Sequence, residues 1–173
     1  MKPEIIDNFL SDEVFKNIQN IMLGNEFHWC YNSVVVDPNI INEDFYFVHP
    51  FYKEYNPASN LCEILDPVIE ILDPISIYRI QANLYPRDLK HVMSGFHTDI
   101  GDLHSYPEKL KQWTTAILYM NTNNGRTDFK DGIKVNSVEN RLVVFPSNLE
   151  HTIVTCTDKK IRVVINFNYF SKH

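Results

Sequence analysis

The chain has 173 residues, the length of one domain able to bury its own core, and an aromatic-rich, glycine-poor composition without low-complexity tracts that excludes a disordered protein. A net charge of -6 argues against the broad basic surface that non-specific nucleic-acid binding needs, and no apolar run approaches the length required to cross a bilayer. Cys30, Cys62 and Cys156 are odd in number and far apart, which removes a disulfide framework and a cysteine zinc site and, with no apolar leader, predicts a soluble cytoplasmic protein.

Ser11 is a good N-cap, with Asp12 and Glu13 where a helix dipole favours negative charge. Val14, Phe15, Ile18, Ile21 and Met22 then recur at helical spacing until Gly24-Asn25, predicting a first helix. Residues 26–36 and 44–53, rich in aromatic and β-branched types and separated by Asp37-Pro38-Asn39, read as two strands. Residues 59–72 return to the helical period through Leu61, Ile64, Leu65, Val68, Ile69 and Leu72, with Pro67 expected to kink or divide the helix. Strands are then expected at 75–85, 93–98, 113–121, 126–134, 139–145, 150–156 and 160–170. Helices first and many strands afterwards predict one α+β, mainly β domain over residues 1–173, with helices packed outside an antiparallel sandwich or barrel.

Two of these strands split their faces by period two. In the first, Ile80, Ala82 and Leu84 oppose Arg79, Gln81, Asn83 and Tyr85. In the last, Val163, Ile165, Phe167 and Tyr169 oppose Arg162, Val164, Asn166 and Asn168. Such polar faces are either solvated or the wall of a polar cavity, and two of them suit a barrel whose interior binds a ligand.

His97 and Asp99 stand two apart, so on a strand both side chains reach one side and supply half a metal site. His151, after the turn at Phe145-Pro146-Ser147, is the natural third ligand. Two His and one carboxylate on one face of an octahedron leave open positions for a bidentate co-substrate and dioxygen, the chemistry of ferrous iron. His28, His49, His91, His104 and His173 occupy no comparable position. Arg162, between apolar neighbours in the last strand, needs a buried anion to offset its desolvation, and a substrate carboxylate would serve.

With these residues the chain resembles the Fe(II)/2-oxoglutarate-dependent oxygenases, which share an HxD pair, a distal His about fifty residues on and an Arg about ten beyond it. Asn83-Leu84-Tyr85-Pro86, Ile117 to Asn121, Gly125 to Gly132 and Phe145-Pro146-Ser147 are similar to the prolyl 4-hydroxylase-like branch, and the chain also resembles small oxygenases encoded by marine bacteriophages. The resemblance implies a double-stranded β-helix (a jelly-roll, cupin-like barrel) over about residues 76–170. It implies His97, Asp99 and His151 as iron ligands, and Arg162 as partner of the distal carboxylate of 2-oxoglutarate. Tyr119 would add a hydroxyl hydrogen bond there, and Tyr85 or Asn83 would contact the co-substrate near the metal. Val164 stands where many members have Ser or Thr, which leaves polar support to Tyr119 or Asn166.

The implied function is a cytoplasmic dioxygenase, in the host cytoplasm if phage-encoded. It would use Fe(II), 2-oxoglutarate and O2 to hydroxylate a prolyl or other protein side chain, releasing succinate and CO2. An aspartate at position 99 favours hydroxylation over halogenation. Three rival readings stand beside it. An AlkB-like nucleic-acid demethylase would use Arg87, Lys90 and Lys111 at the site mouth. A non-catalytic cupin-like barrel would bind a sugar or anion. A zinc hydrolase would leave Arg162 and Tyr119 without a purpose.

Overall fold

A computed structural model describes residues 2–33, 45–100 and 105–171. Strand β1 (Glu4–Ile6) leads into helix α1 (Asp12–Met22), which starts where Ser11 Oγ accepts the Val14 N–H and buries Phe15, Ile18 and Met22. Strands β2 (Cys30–Asn32), β3 (Tyr46–Lys53) and β4 (Asn56–Pro57) follow. Pro67 divides the next helical segment, because a proline fits the first turn of a helix but not its interior. A 3-10 turn at Cys62–Leu65 therefore gives way to a new helix, α2 (Asp66–Leu72). Then come β5 (Ser76–Pro86), the short α3 (Pro107–Leu110), β6 (Trp113–Tyr119), β7 (Arg126–Phe129), β8 (Lys134–Asn136), β9 (Arg141–Pro146), β10 (His151–Val154) and β11 (Ile161–Phe170).

Among the described residues these strands form two antiparallel sheets. The larger runs β1-β9-β6-β11-β5-β3-β2, with β4 added to β3, and the smaller runs β10-β7-β8. Alternation sends the two faces of the large sheet into different cores. Ile80, Ala82, Val163, Ile165 and Phe167 pack with Phe15, Ile18 and Val68 from the helices. Tyr85, Ile117, Tyr119, Val143 and Val164 turn the other way, toward Phe129 and Val135 of the small sheet. The expected mainly β architecture with helices outside is therefore the one observed, and no helix among the described residues is long and apolar enough to cross a membrane.

Three expectations need correction. Residues 126–134 are not one strand but β7 and the start of a hairpin to β8. Asp131 Oδ1 caps the Ile133 N–H and Gly132 takes φ 93°, so the chain reverses at Asp131-Gly132, between the apolar residues Phe129 and Ile133. Residues 93–98 are not a strand either. They form a loop tied to β10 by isolated bridges at Met93–Val154 and His97–His151. Of residues 26–36 only Cys30–Asn32 pairs among those described, and 34–36 lie outside them. In the loop expected over 102–112, residues 105–112 include α3, whereas 102–104, with His104, also lie outside.

Candidate metal centre

His97 and His151 are brought together by their backbones. Each donates its N–H to the other's carbonyl at 3.0 Å, so the two rings fall on one side with centroids 4.8 Å apart. Asp99 follows in the bend after His97. Its carboxylate lies 3.9 Å from Nε2 of each histidine, and one ligand atom from each residue falls within 4.8 Å of the others. Nδ1 of His97 faces the Gly95 carbonyl at 3.3 Å and Nδ1 of His151 the Leu149 carbonyl at 3.2 Å. A carbonyl only accepts, so each Nδ1 carries the proton and each Nε2 offers its lone pair to a metal.

The electrostatics act on two of these groups, Asp99 and His151. Burial pushes the Asp99 carboxyl up, but the opposing pull of His151, Arg79 and His97, with a hydrogen bond from Asn168, outweighs it and holds the group at about 2. Burial drives His151 below the usual histidine value, against the opposing pull of Asp99, and so favours the neutral form, the form in which an imidazole can bind a metal. Both Asp99 oxygens are held, Oδ1 3.3 Å from Arg79 Nη2 and Oδ2 accepting from Asn168 Nδ2 at 3.1 Å. Asn168 Oδ1 accepts in turn from Arg79 Nε, and Asn168 Nδ2 also reaches Thr115 Oγ1. A cavity of about 270 Å³ opens beside Asp99 and Arg79.

Arg162 sits six residues from Asn168 on the same face of β11. It is 1% exposed and forms no ion pair among the described residues. Nε donates to Ser137 Oγ at 3.0 Å and Nη2 to Thr127 Oγ1 at 3.2 Å, while the guanidinium carbon lies 5.6 Å from the rings of both Tyr85 and Tyr119. Nη1 has no partner. Burying a lone guanidinium costs several kcal/mol unless an anion answers it (~3–5 kcal/mol on the scale of a broken buried pair), so the donor set fits a carboxylate. Gly125 makes room for this arrangement, since a Cβ there would stand 2.8 Å from Arg162 Cδ.

No protein-family model and no curated protein matches the sequence. In structure the chain is similar to a prolyl hydroxylase from Trichoplax adhaerens solved in complex with a hypoxia inducible factor oxygen degradation domain peptide fragment. The two share 16% identity over 98% of this chain and 84% of that one, with a TM-score of 0.68. A Pseudomonas putida prolyl-4-hydroxylase gives 14% identity, 98% and 92% coverage and a TM-score of 0.61. HygX from Streptomyces hygroscopicus, solved with nickel, 2-oxoglutarate and hygromycin B bound, gives 10%, 98%, 83% and 0.58. The fold is a double-stranded β-helix.

Within this double-stranded β-helix the residues singled out from sequence fall into two groups. His97, Asp99 and His151 converge at one end of the polar lane formed by β5 and β11. Arg162, Tyr85 and Tyr119 gather at the other, where Tyr85 stacks on Tyr46 at 5.2 Å and the Tyr119 hydroxyl donates to Thr127 Oγ1 at 2.8 Å. Cross-strand register joins the groups, pairing Arg162 with Tyr85, Val164 with Asn83, Asn166 with Gln81 and Asn168 with Arg79. Asn83 Oδ1 accepts from Gln81, and Asn166 Oδ1 is buried without a partner. Arg87, Lys90 and Lys111 are exposed, and none lines the cavity at Asp99. Sequence reasoning missed Thr127 and Ser137 as supports of Arg162, and Arg79 and Asn168 as supports of Asp99. For the last two the signal was present, since both lie on the polar faces of β5 and β11.

Proposed function

We propose that the chain is a single-domain Fe(II)- and 2-oxoglutarate-dependent dioxygenase that hydroxylates a prolyl or other protein side chain. The observation that carries this reading is Arg162. It is a fully buried cation with an unpartnered Nη1, set on the same strand face as the asparagine that fixes Asp99. A metal-binding barrel without an organic anion has no use for that arrangement.

His97, Asp99 and His151 would hold the iron through Nε2, a carboxylate oxygen and Nε2, leaving half of an octahedral sphere open. When bound, the iron with 2-oxoglutarate and O2 supplies the oxidising chemistry, with succinate and CO2 as co-products. The chain's own residues do the positioning. Arg162 would take the distal carboxylate with Nη1, and Thr127 and Ser137 keep its guanidinium from swinging away. Arg79 and Asn168 hold Asp99 anionic and oriented, so the ligand need not be reorganised on metal binding. Tyr85, Tyr119 and Phe145 wall the lane with rings and limit water.

Likeness to two prolyl hydroxylases, one of them solved with a peptide, supports a protein side chain as substrate. The test is succinate formation from 2-oxoglutarate by iron-loaded protein. His151→Ala and Asp99→Ala are expected to abolish both turnover and metal binding measured by calorimetry. Full metal occupancy in either variant would remove the ligand assignment.

A further inference from the structure

The loop between β3 and β4 is two residues long, Glu54-Tyr55, with Tyr52 paired to Pro57 and Lys53 to Asn56. Glu54 has φ 48° and Tyr55 φ 70°. Hairpin loops with positive φ at both central positions are normally Asn-Gly or Asp-Gly, because a Cβ is disfavoured there and a bulky side chain most of all. Local preference is thus overridden twice in succession. Such outliers persist where the surroundings hold them, and they cluster where a protein binds something.

This loop stands at the proposed site. Tyr52, Lys53 and Glu54 line the cavity of about 270 Å³ together with Arg79, Gln81 and Asp99. Tyr55 points its backbone N–H at the Tyr78 carbonyl at 3.1 Å, and its ring lies 5.4 Å from Tyr78 and 6.4 Å from Trp113. Yet Tyr55 remains 56% exposed. Tyr78 also lines the cavity, whereas Tyr55 lines a neighbouring cavity of about 420 Å³ with Tyr52, Ile69 and Asp73, so the rings of Tyr55, Tyr78 and Trp113 form an aromatic cluster beside the cavity at Asp99, with Tyr52 shared by both cavities. At about 270 Å³ the cavity at Asp99 lies just below the ~300–1,000 Å³ that encloses a drug-sized ligand. It accommodates one side chain, and the rest of a peptide must lie outside it.

We propose that Tyr55, presented by this strained hairpin tip, is a specificity-determining residue that seats the residue flanking the oxidised one in a peptide substrate. The inference rests on the dioxygenase reading and adds to its protein substrate a requirement for an extended residue beside the oxidised one. Tyrosine suits the task, giving a large contact at low cost in rotamer freedom. The mixed charges of Lys53, Glu54 and Arg79 at the mouth match the alternating donors and acceptors of a peptide backbone.

The experiment uses the full chain with 2-oxoglutarate under argon, with and without Mn(II). Calorimetry compares an acetylated Ala-Ala-Pro-Ala-Ala amide with N-acetylproline amide, which can fill only the cavity. The peptide is expected to bind about tenfold more tightly, the worth of one good ring contact. In the double variant Glu54→Asn/Tyr55→Gly the loop gains the residues its φ angles ask for, so the melting temperature rises while the tenfold preference disappears. Tyr55→Phe keeps the preference. A double variant that retains the preference, or that melts below the parent, overturns the proposal, as does a parent that binds neither probe. Mn(II) titration without probe reads the metal centre alone, so failure there strikes the dioxygenase reading and not the hairpin.

Discussion

The two faces of β5 and β11 share one backbone and are stabilised by different physics. On the helix side Ile80, Ala82, Val163, Ile165 and Phe167 are held by burial alone, which has no direction and tolerates any side chain of similar volume. On the site side Arg79, Asn168 and Arg162 are held by hydrogen bonds at fixed atoms, where a shift of one ångström removes a partner. The helix side contributes the stability that lets the site side bury an Asp, a His and an unpaired Arg together.

That division can be broken by substitution. Phe167→Ala, on the helix side, is expected to cost about 3–5 kcal/mol in urea unfolding while leaving metal affinity per folded molecule unchanged. A large loss of metal affinity in the surviving folded fraction would show that the faces are coupled. Next in size is a pH effect confined to the site side. In metal-free protein the Asp99 carboxyl sits at about 2 rather than 3.8, so its folded-state value is depressed. Its contribution is complete above about pH 4 and is lost as pH falls toward 2, an expected difference of about 2 kcal/mol between the parent and Asp99→Asn. Parallel stability curves for the two proteins in acid would refute the assignment. The smallest effect has the opposite sign. Arg162→Met removes a buried charge at similar volume, so the ligand-free protein should melt at the same temperature or slightly higher, and 2-oxoglutarate should no longer raise it. A marked drop in melting temperature would mean that Arg162 is structural.

Much of the helix side was legible because it follows from period alone. Ser11 announced α1, and the alternation from Arg79 to Tyr85 and from Arg162 to Tyr169 assigned both faces of β5 and β11 correctly. At the site, His97, Asp99 and His151 were legible as a set by chemistry, but the reason given for their convergence was wrong. Strand alternation does not aim His97 and Asp99, since no strand exists there. The bridge to His151, 54 residues away in sequence, does so instead. Thr127 and Ser137 meet Arg162 only through the β7–β8 hairpin, whose turn at Asp131-Gly132 was masked by Phe129, Ile133 and Val135 around it. Contacts set by such long-range closure leave no local period to read.

The reciprocal backbone bonds between His97 and His151 make the frame of the centre independent of what it holds. Two amide hydrogen bonds tie the loop to β10 with no contribution from either imidazole, so the chain closes the frame of the centre while it folds and both rings wait at their posts. A metal that bound at these residues would enter a frame already closed. Little conformational entropy remains to be lost at that step, and an ion can be exchanged for another without reopening the barrel.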